Sequence, residues 1–138
     1  MRHLVKGRKL NRTSSHRISL KRNLAMSLIE HKRIKTTFAK AKELQPFIER
    51  LVTYAKKNNL SSFRLITQNL PGKLGKKSTN ILIHDIVPNY SDRNGGYTRI
   101  IKLENRKNDN AKMSLIEFVG LSINIENPEE TSESAEDK

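Results

Sequence analysis

Apolar positions recur along the chain first with a helical period. Ile18, Leu24, Ala25, Leu28 and Ile29 mark one face of a helix running to about His31, with Ser14 or Ser15 as its N-cap candidate. Ile34 to Phe38 then alternates and is rich in β-branched residues, which predicts a short strand. Ala41, Leu44, Ile48, Leu51, Val52 and Ala55 return to helical spacing and define a second, longer helix that ends near Asn58 and Asn59. Pro46 falls inside that pattern. It removes a backbone donor and crowds Lys42 one turn back, so the helix either kinks there or begins with Pro46 as its first residue.

Two shorter apolar groups follow. Ser61 or Ser62 through Gln68, with Phe63, Leu65 and Ile66, reads as a third helix stopped by Pro71 and Gly72; Ser78 through Val87, with Ile81, Leu82, Asp85 and Ile86 sorted on two faces, reads as a fourth ended by Pro88. Asn94-Gly95-Gly96 is a turn, Tyr97 to Leu103 alternates as a strand, Glu104 to Lys112 is a polar loop, and Met113 to Val119 is the antiparallel partner strand. The order αβαααββ predicts a two-layer α+β domain. Before it, residues 1–14 carry no apolar period and are broken by Gly7, Asn11, Thr13 and Ser14, the pattern of an extended arm. After Asn127 the run PEETSESAEDK lacks any large apolar residue and predicts a disordered acidic tail. The expected layout is an arm over residues 1–16, a domain over 17–120 and a tail over 121–138.

Charge changes this picture from a fold to a function. The 138 residues hold 27 Lys or Arg against 14 Asp or Glu, a net charge of +13. Residues 1–60 carry 16 basic and 3 acidic residues, 61–112 carry 10 and 4, and 113–138 carry 1 and 7. The first carboxylate is Glu30, so Arg2, Lys6, Arg8, Lys9, Arg12, Arg17, Lys21 and Arg22 stand unneutralised in the opening segment. Single-signed charge of this density points to a nucleic-acid partner. A membrane surface is the poorer fit, because residues 1–16 offer only Leu4, Val5 and Leu10 and no aromatic to bury. A merely solvated face would need less charge of one sign.

The start of the first helix sharpens the expectation. His16, Arg17 and, a turn later, Lys21 sit where the helix dipole disfavours cations, and a bound anion reverses that penalty. Backbone N–H groups, the Ser15 hydroxyl and these cations together would hold a phosphate. Aromatic side chains are few and scattered, so binding should follow charge and shape and not base stacking. Phe47, Tyr54, Phe63 and Phe118 are core by position, whereas Tyr97, beside Gly96 and Arg99, is open to either a core or an RNA role.

Other chemistries find little support. Without cysteine there is no disulfide, thiolate zinc site or cysteine nucleophile. His3, His16, His31 and His84 lack metal-ligand spacing, so neither a metal nor a cofactor is expected. Histidine-assisted RNA cleavage by His3 and His16 would place catalysts in or beside an arm that cannot hold them rigidly, so no catalytic residue is assigned. Gly72-Lys73-Leu74-Gly75-Lys76-Lys77-Ser78-Thr79 has its glycines too close and an extra Lys for a phosphate-binding P-loop, and reads as a basic loop. No apolar run is long enough to span a membrane and no secretory signal follows the N-terminus, so the expectation is a soluble, cytoplasmic protein with no small-molecule substrate. A DNA-architectural protein is the alternative that charge alone permits, although neither a recognition helix nor dimer symmetry is announced.

Several blocks carry a resemblance. Met1-Arg2-His3, Gly7-Arg8-Lys9-Leu10-Asn11-Arg12-Thr13-Ser14-Ser15-His16-Arg17, Ile34-Lys35-Thr36-Thr37, Lys40-Ala41-Lys42-Glu43-Leu44, Gly95-Gly96-Tyr97-Thr98-Arg99-Ile100 and Asp109-Asn110-Ala111 stand in order and spacing as in the bacterial large-subunit ribosomal protein L-seventeen family. The resemblance covers about residues 1–120. It departs at Leu4 and Val5, where the family often has basic or polar residues, and at Pro46, earlier than the family's usual helix proline. It implies a structural protein that binds large-subunit ribosomal RNA, inserts its basic N-terminal region among RNA helices, and sits near the nascent-chain exit region beside other subunit proteins. The candidate RNA-binding residues from charge, position and resemblance are Arg2, His3, Lys6, Arg8, Lys9, Arg12, Ser15, His16, Arg17, Lys21, Arg22, Lys35, Lys40, Lys42, Arg93, Tyr97 and Arg99.

Overall fold

In the computed structural model, residues 7–121 are described; the expectations for Arg2, His3, Lys6 and the acidic tail beyond Leu121 lie outside them. Helix α1 spans Ser14–His31, strand β1 Arg33–Thr37, helix α2 Phe38–Lys56, helix α3 Leu60–Asn69, helix α4 Gly72–Ile81, strand β2 Thr98–Lys102 and strand β3 Met113–Phe118. The class is α+β. The three strands form one antiparallel sheet in the order β1-β3-β2, so the last strand pairs with both others.

Helix α2 organises the core. Its six periodic apolar residues, Ala41, Leu44, Ile48, Leu51, Val52 and Ala55, are all buried. They pack on the sheet's inner row of Ile34, Ile116 and Ile100, which are paired across β1, β3 and β2. Ala25, Leu28 and Ile29 of α1 and Ile66, Leu70, Leu82 and Ile86 belong to the same buried cluster. At one end Tyr90, Tyr97 and Phe118 cluster, with Tyr90 5.3 Å from Tyr97 between ring centroids. The Tyr90 hydroxyl donates to the Val119 carbonyl at 2.7 Å, and burial pushes its ionisation up to about 12 against a smaller lowering by Arg93.

Several sequence expectations are corrected by packing. Thr13, not Ser14 or Ser15, is the N-cap residue of α1, with extended backbone and no side-chain capping bond. The first strand begins at Arg33 and ends at Thr37, because Phe38 donates its N–H to Lys112 O and starts α2. Pro46 lies within α2, which excludes a helix beginning there. The basic loop expected at Gly72 is helical: α4 starts at Gly72, continues through a π-helical turn, Leu82–Ile86, and tightens into a 3-10 turn, Val87–Tyr90, which contains Pro88. Gly75 makes this possible, since a Cβ there would enter the backbone of Leu70, and the mid-helix glycine lets α3 and α4 turn closely about Pro71. Ile18 and Phe63, expected in the core, are exposed at 43% and 42%.

Candidate nucleic-acid interface

The arm and the start of α1 form one cationic end of the molecule. The chain reverses at Leu10 and Asn11, both with left-handed backbone, φ 53° and 50°. Arg12 closes this turn by donating its backbone N–H to Lys9 O at 3.1 Å and Nη1 to Leu10 O at 2.8 Å. Arg17 then donates Nη1 to Arg12 O at 2.8 Å. Two candidate RNA ligands therefore brace the backbone that presents the others. The Arg8 N–H bonds the Glu43 carboxylate at 2.8 Å, so a residue of α2 pins the arm.

At the helix start, the first backbone bond runs from Arg17 N to Thr13 O at 3.0 Å. The preceding N–H groups of Ser14, Ser15 and His16 have no side-chain cap and no acidic residue in the first turn. Ser15 and His16 are exposed beside them. The buried Arg12 Nε has no hydrogen-bond partner among the described residues. Backbone donors and side-chain cations with no anion among them favour a negatively charged ligand on electrostatic grounds.

The other candidate residues lie beside the α1 cluster and in three further places. Lys21 lies 5.9 Å above the Phe47 ring, and Arg22 donates Nη2 to Gln68 O at 3.3 Å, so both flank the α1 cluster while using part of their length for packing. Lys40 and Lys42 lie in the first turns of α2, with Lys42 and Lys102 at 5.6 Å and 5.9 Å from the Phe38 ring. Lys35 and Arg99 project from the sheet face away from α2. Arg93 closes the loop before β2, donating Nη1 to Gly96 O at 3.1 Å, while Lys56 bonds Arg93 O at 2.6 Å. Gly96, at φ 61°, supplies the left-handed residue this turn requires.

Tyr97 resolves in favour of the core: it is 3% exposed, packed on Tyr90, with Lys56 5.6 Å from its ring centroid. Two residues absent from the sequence selection also matter. Glu43 pins the arm. Glu117, whose side chain is 4% exposed, accepts from Arg33 Nε at 2.7 Å and from Arg99 Nε. Burial alone would push the Glu117 carboxyl up, but Arg99 and Arg33 outweigh it and hold the group below its usual value. A lone carboxylate in the apolar run SLIEFV was the available signal; the pairing that explains it is non-local.

Among the described residues no three His, Cys, Asp or Glu side chains gather to hold a metal, and no helix is long and apolar enough to cross a membrane. Fold and surface thus define a small, strongly cationic α+β protein.

The comparisons give that class its family. The family described as Ribosomal protein L17 matches residues 20–119. A protein of Rickettsia bellii named large ribosomal subunit protein bL17 is 49% identical over 137 residues, covering 99% of this chain and 94% of its own. Its namesake in Thermus thermophilus is 50% identical over 121 residues, 86% and 99% of the two chains, and that of Orientia tsutsugamushi is 46% identical over 123, 89% and 83%. This chain belongs to the ribosomal protein L17 family, and it is a structural ribosomal protein rather than an enzyme.

Proposed function

We propose that this protein is a structural constituent of the large subunit of the cytoplasmic ribosome, held to large-subunit ribosomal RNA by its basic arm and the start of α1. Family membership supports the subunit, since the relatives carry that subunit in their names. One observation carries the RNA contact: α1 begins with uncapped backbone donors, no acidic residue in its first turn, and Arg12, His16 and Arg17 around them. In this reading Arg2, His3, Lys6, Arg8 and Lys9 extend the contact along the arm, and Ser15, Lys21 and Arg22 complete it at the helix. Lys35, Lys40, Lys42, Arg93 and Arg99 supply peripheral phosphate contacts. Neighbouring subunit proteins cover other faces, and the nascent-chain exit region is the location that the resemblance implies.

Each cation that neutralises a phosphate releases a counterion, so affinity falls with salt at a log-log slope of about −0.7 to −0.9 per contact. Titration of deproteinised large-subunit rRNA at several salt concentrations tests the reading. Replacing Arg8 and Arg22 singly by Gln should make the slope shallower by about 0.7 to 0.9 each, whereas Arg12→Gln and Arg17→Gln, which also release the braced turn, should flatten it by at least as much. Slopes that match the unaltered protein throughout would overturn the assignment of the arm and α1.

A further inference from the structure

The sheet has a second face, and two arginines share one buried carboxylate there. β1, β3 and β2 align Arg33, Glu117 and Arg99 in one cross-strand row. Successive residues alternate between faces, so this row points away from the Ile34, Ile116 and Ile100 row that packs on α2. Glu117 is almost completely covered, whereas the side chains of Arg33 and Arg99 are 40% and 60% exposed. The carboxylate therefore lies beneath two guanidinium groups.

Each arginine uses only its Nε toward Glu117 among the described residues. The terminal N–H groups of both forks remain available for an acceptor. Two strand spacings, about 10 Å, separate the arginine backbones, but both side chains converge on the two oxygens of the one Glu117 carboxylate, so their remaining donors lie side by side and suit neighbouring phosphates of one chain. The next row on this face places exposed Lys35 beside Leu115 and Ile101, adding a third cation and an apolar strip. Lys35 and Met113 also line an open cleft of about 450 Å³ together with Glu104, Arg106 and Lys107. The row and its neighbour hold three cations against one carboxylate, and that carboxylate is already bonded twice.

We propose that Arg33 and Arg99 form a phosphate-backbone clamp on the open face of the sheet, oriented by the buried Glu117, and that it grips ribosomal RNA at a site separate from the arm. The inference rests on the rRNA-binding reading and adds a second surface to it. Arginine suits this role because a fork can keep one N–H on a carboxylate while presenting a parallel pair of donors to phosphate. Glu117 is a positioning residue: it fixes the forks and touches no RNA. No aromatic side chain occupies the row or its neighbour, so the clamp should follow the backbone and not base identity.

Phenylglyoxal modification of the full chain, read by peptide mass spectrometry, tests the clamp without a variant. Arg33 and Arg99 should react in the free protein and be protected in the binary complex with deproteinised large-subunit rRNA. Protection in the free protein would overturn the proposal, because another part of the chain would then occupy the forks. Reactivity in the binary complex with protection only in the intact subunit would also overturn it, and would assign the face to a protein neighbour. In parallel, Arg33→Gln and Arg99→Gln should each make the salt slope shallower by about 0.7 to 0.9, while Arg99→Lys should restore the slope. Unchanged slopes with lowered thermal stability would leave the arginines a purely structural role and overturn the clamp. If the unaltered protein fails to bind the rRNA, both this inference and the reading beneath it fall; if it binds and the two arginines are indifferent, only the clamp does.

Discussion

Glu117 shows how one residue can serve packing and charge together. Its carboxylate lies within an apolar strand, and the cost of burying it is offset by Arg33 and Arg99 only while it is ionised. A carboxyl held below its ordinary value stabilises the fold above the unfolded-state value and loses that contribution as pH falls through the folded one. The melting temperature of Glu117→Gln should therefore lie below that of the unaltered protein near pH 6, by a loss of about 1 to 2 kcal/mol given the solvent around the arginines. The gap should close as pH is lowered from 5 toward 3. A constant gap across that range would show that the ion pair adds nothing beyond shape. Charge and resemblance single out Arg99 but neither Arg33 nor Glu117, because their partnership depends on the strand order β1-β3-β2. Tyr97 was ambiguous for a related reason: a tyrosine after two glycines belongs equally to a loop surface or a strand end until Tyr90 is brought against it.

At the scale of elements, periodicity was most informative where one face is buried along its whole length. All six apolar positions of α2 lie in the core, and β2 and β3 pair as their alternation predicts. It places α3 within a residue or two of Leu60–Asn69 but misplaces the start of α4, and it misreads burial where helices are short: α3 buries Ser62 and Ile66 and leaves Phe63 and Leu65 about 40% exposed. Gly72 and Gly75 read as breakers because glycine costs a helix about 1 kcal/mol relative to alanine. At Gly75 the tertiary requirement wins, since any Cβ would collide with Leu70. Gly75→Ala should therefore destabilise the domain by about 1 to 3 kcal/mol, although alanine is the better helix former. Denaturant unfolding checks this, and a variant as stable as the parent would mean that the α3–α4 approach relaxes freely. The π-helical and 3-10 turns after Ile81 had no sequence signal beyond Pro88.

For the whole molecule, function was more legible than geometry. Charge placement does not depend on knowing the fold: no carboxylate precedes Glu30, while the net charge is +13. The fold then converts that list into separate surfaces, with the arm braced on α2 through Glu43 and the sheet arginines braced on Glu117. What charge could not reveal is that some cations are scaffolding for others, as with Arg17 bonded to the backbone of Arg12. The central claim, an RNA-held component of the large subunit, is tested most directly by sedimenting a cell lysate through sucrose gradients and following this protein. The gradients are run in low salt, in about 1 M salt, where the Debye length falls to about 3 Å, and after ribonuclease. Co-migration with large subunits that persists in high salt and disappears after ribonuclease is the predicted result; a protein that stays at the top of every gradient would contradict the account.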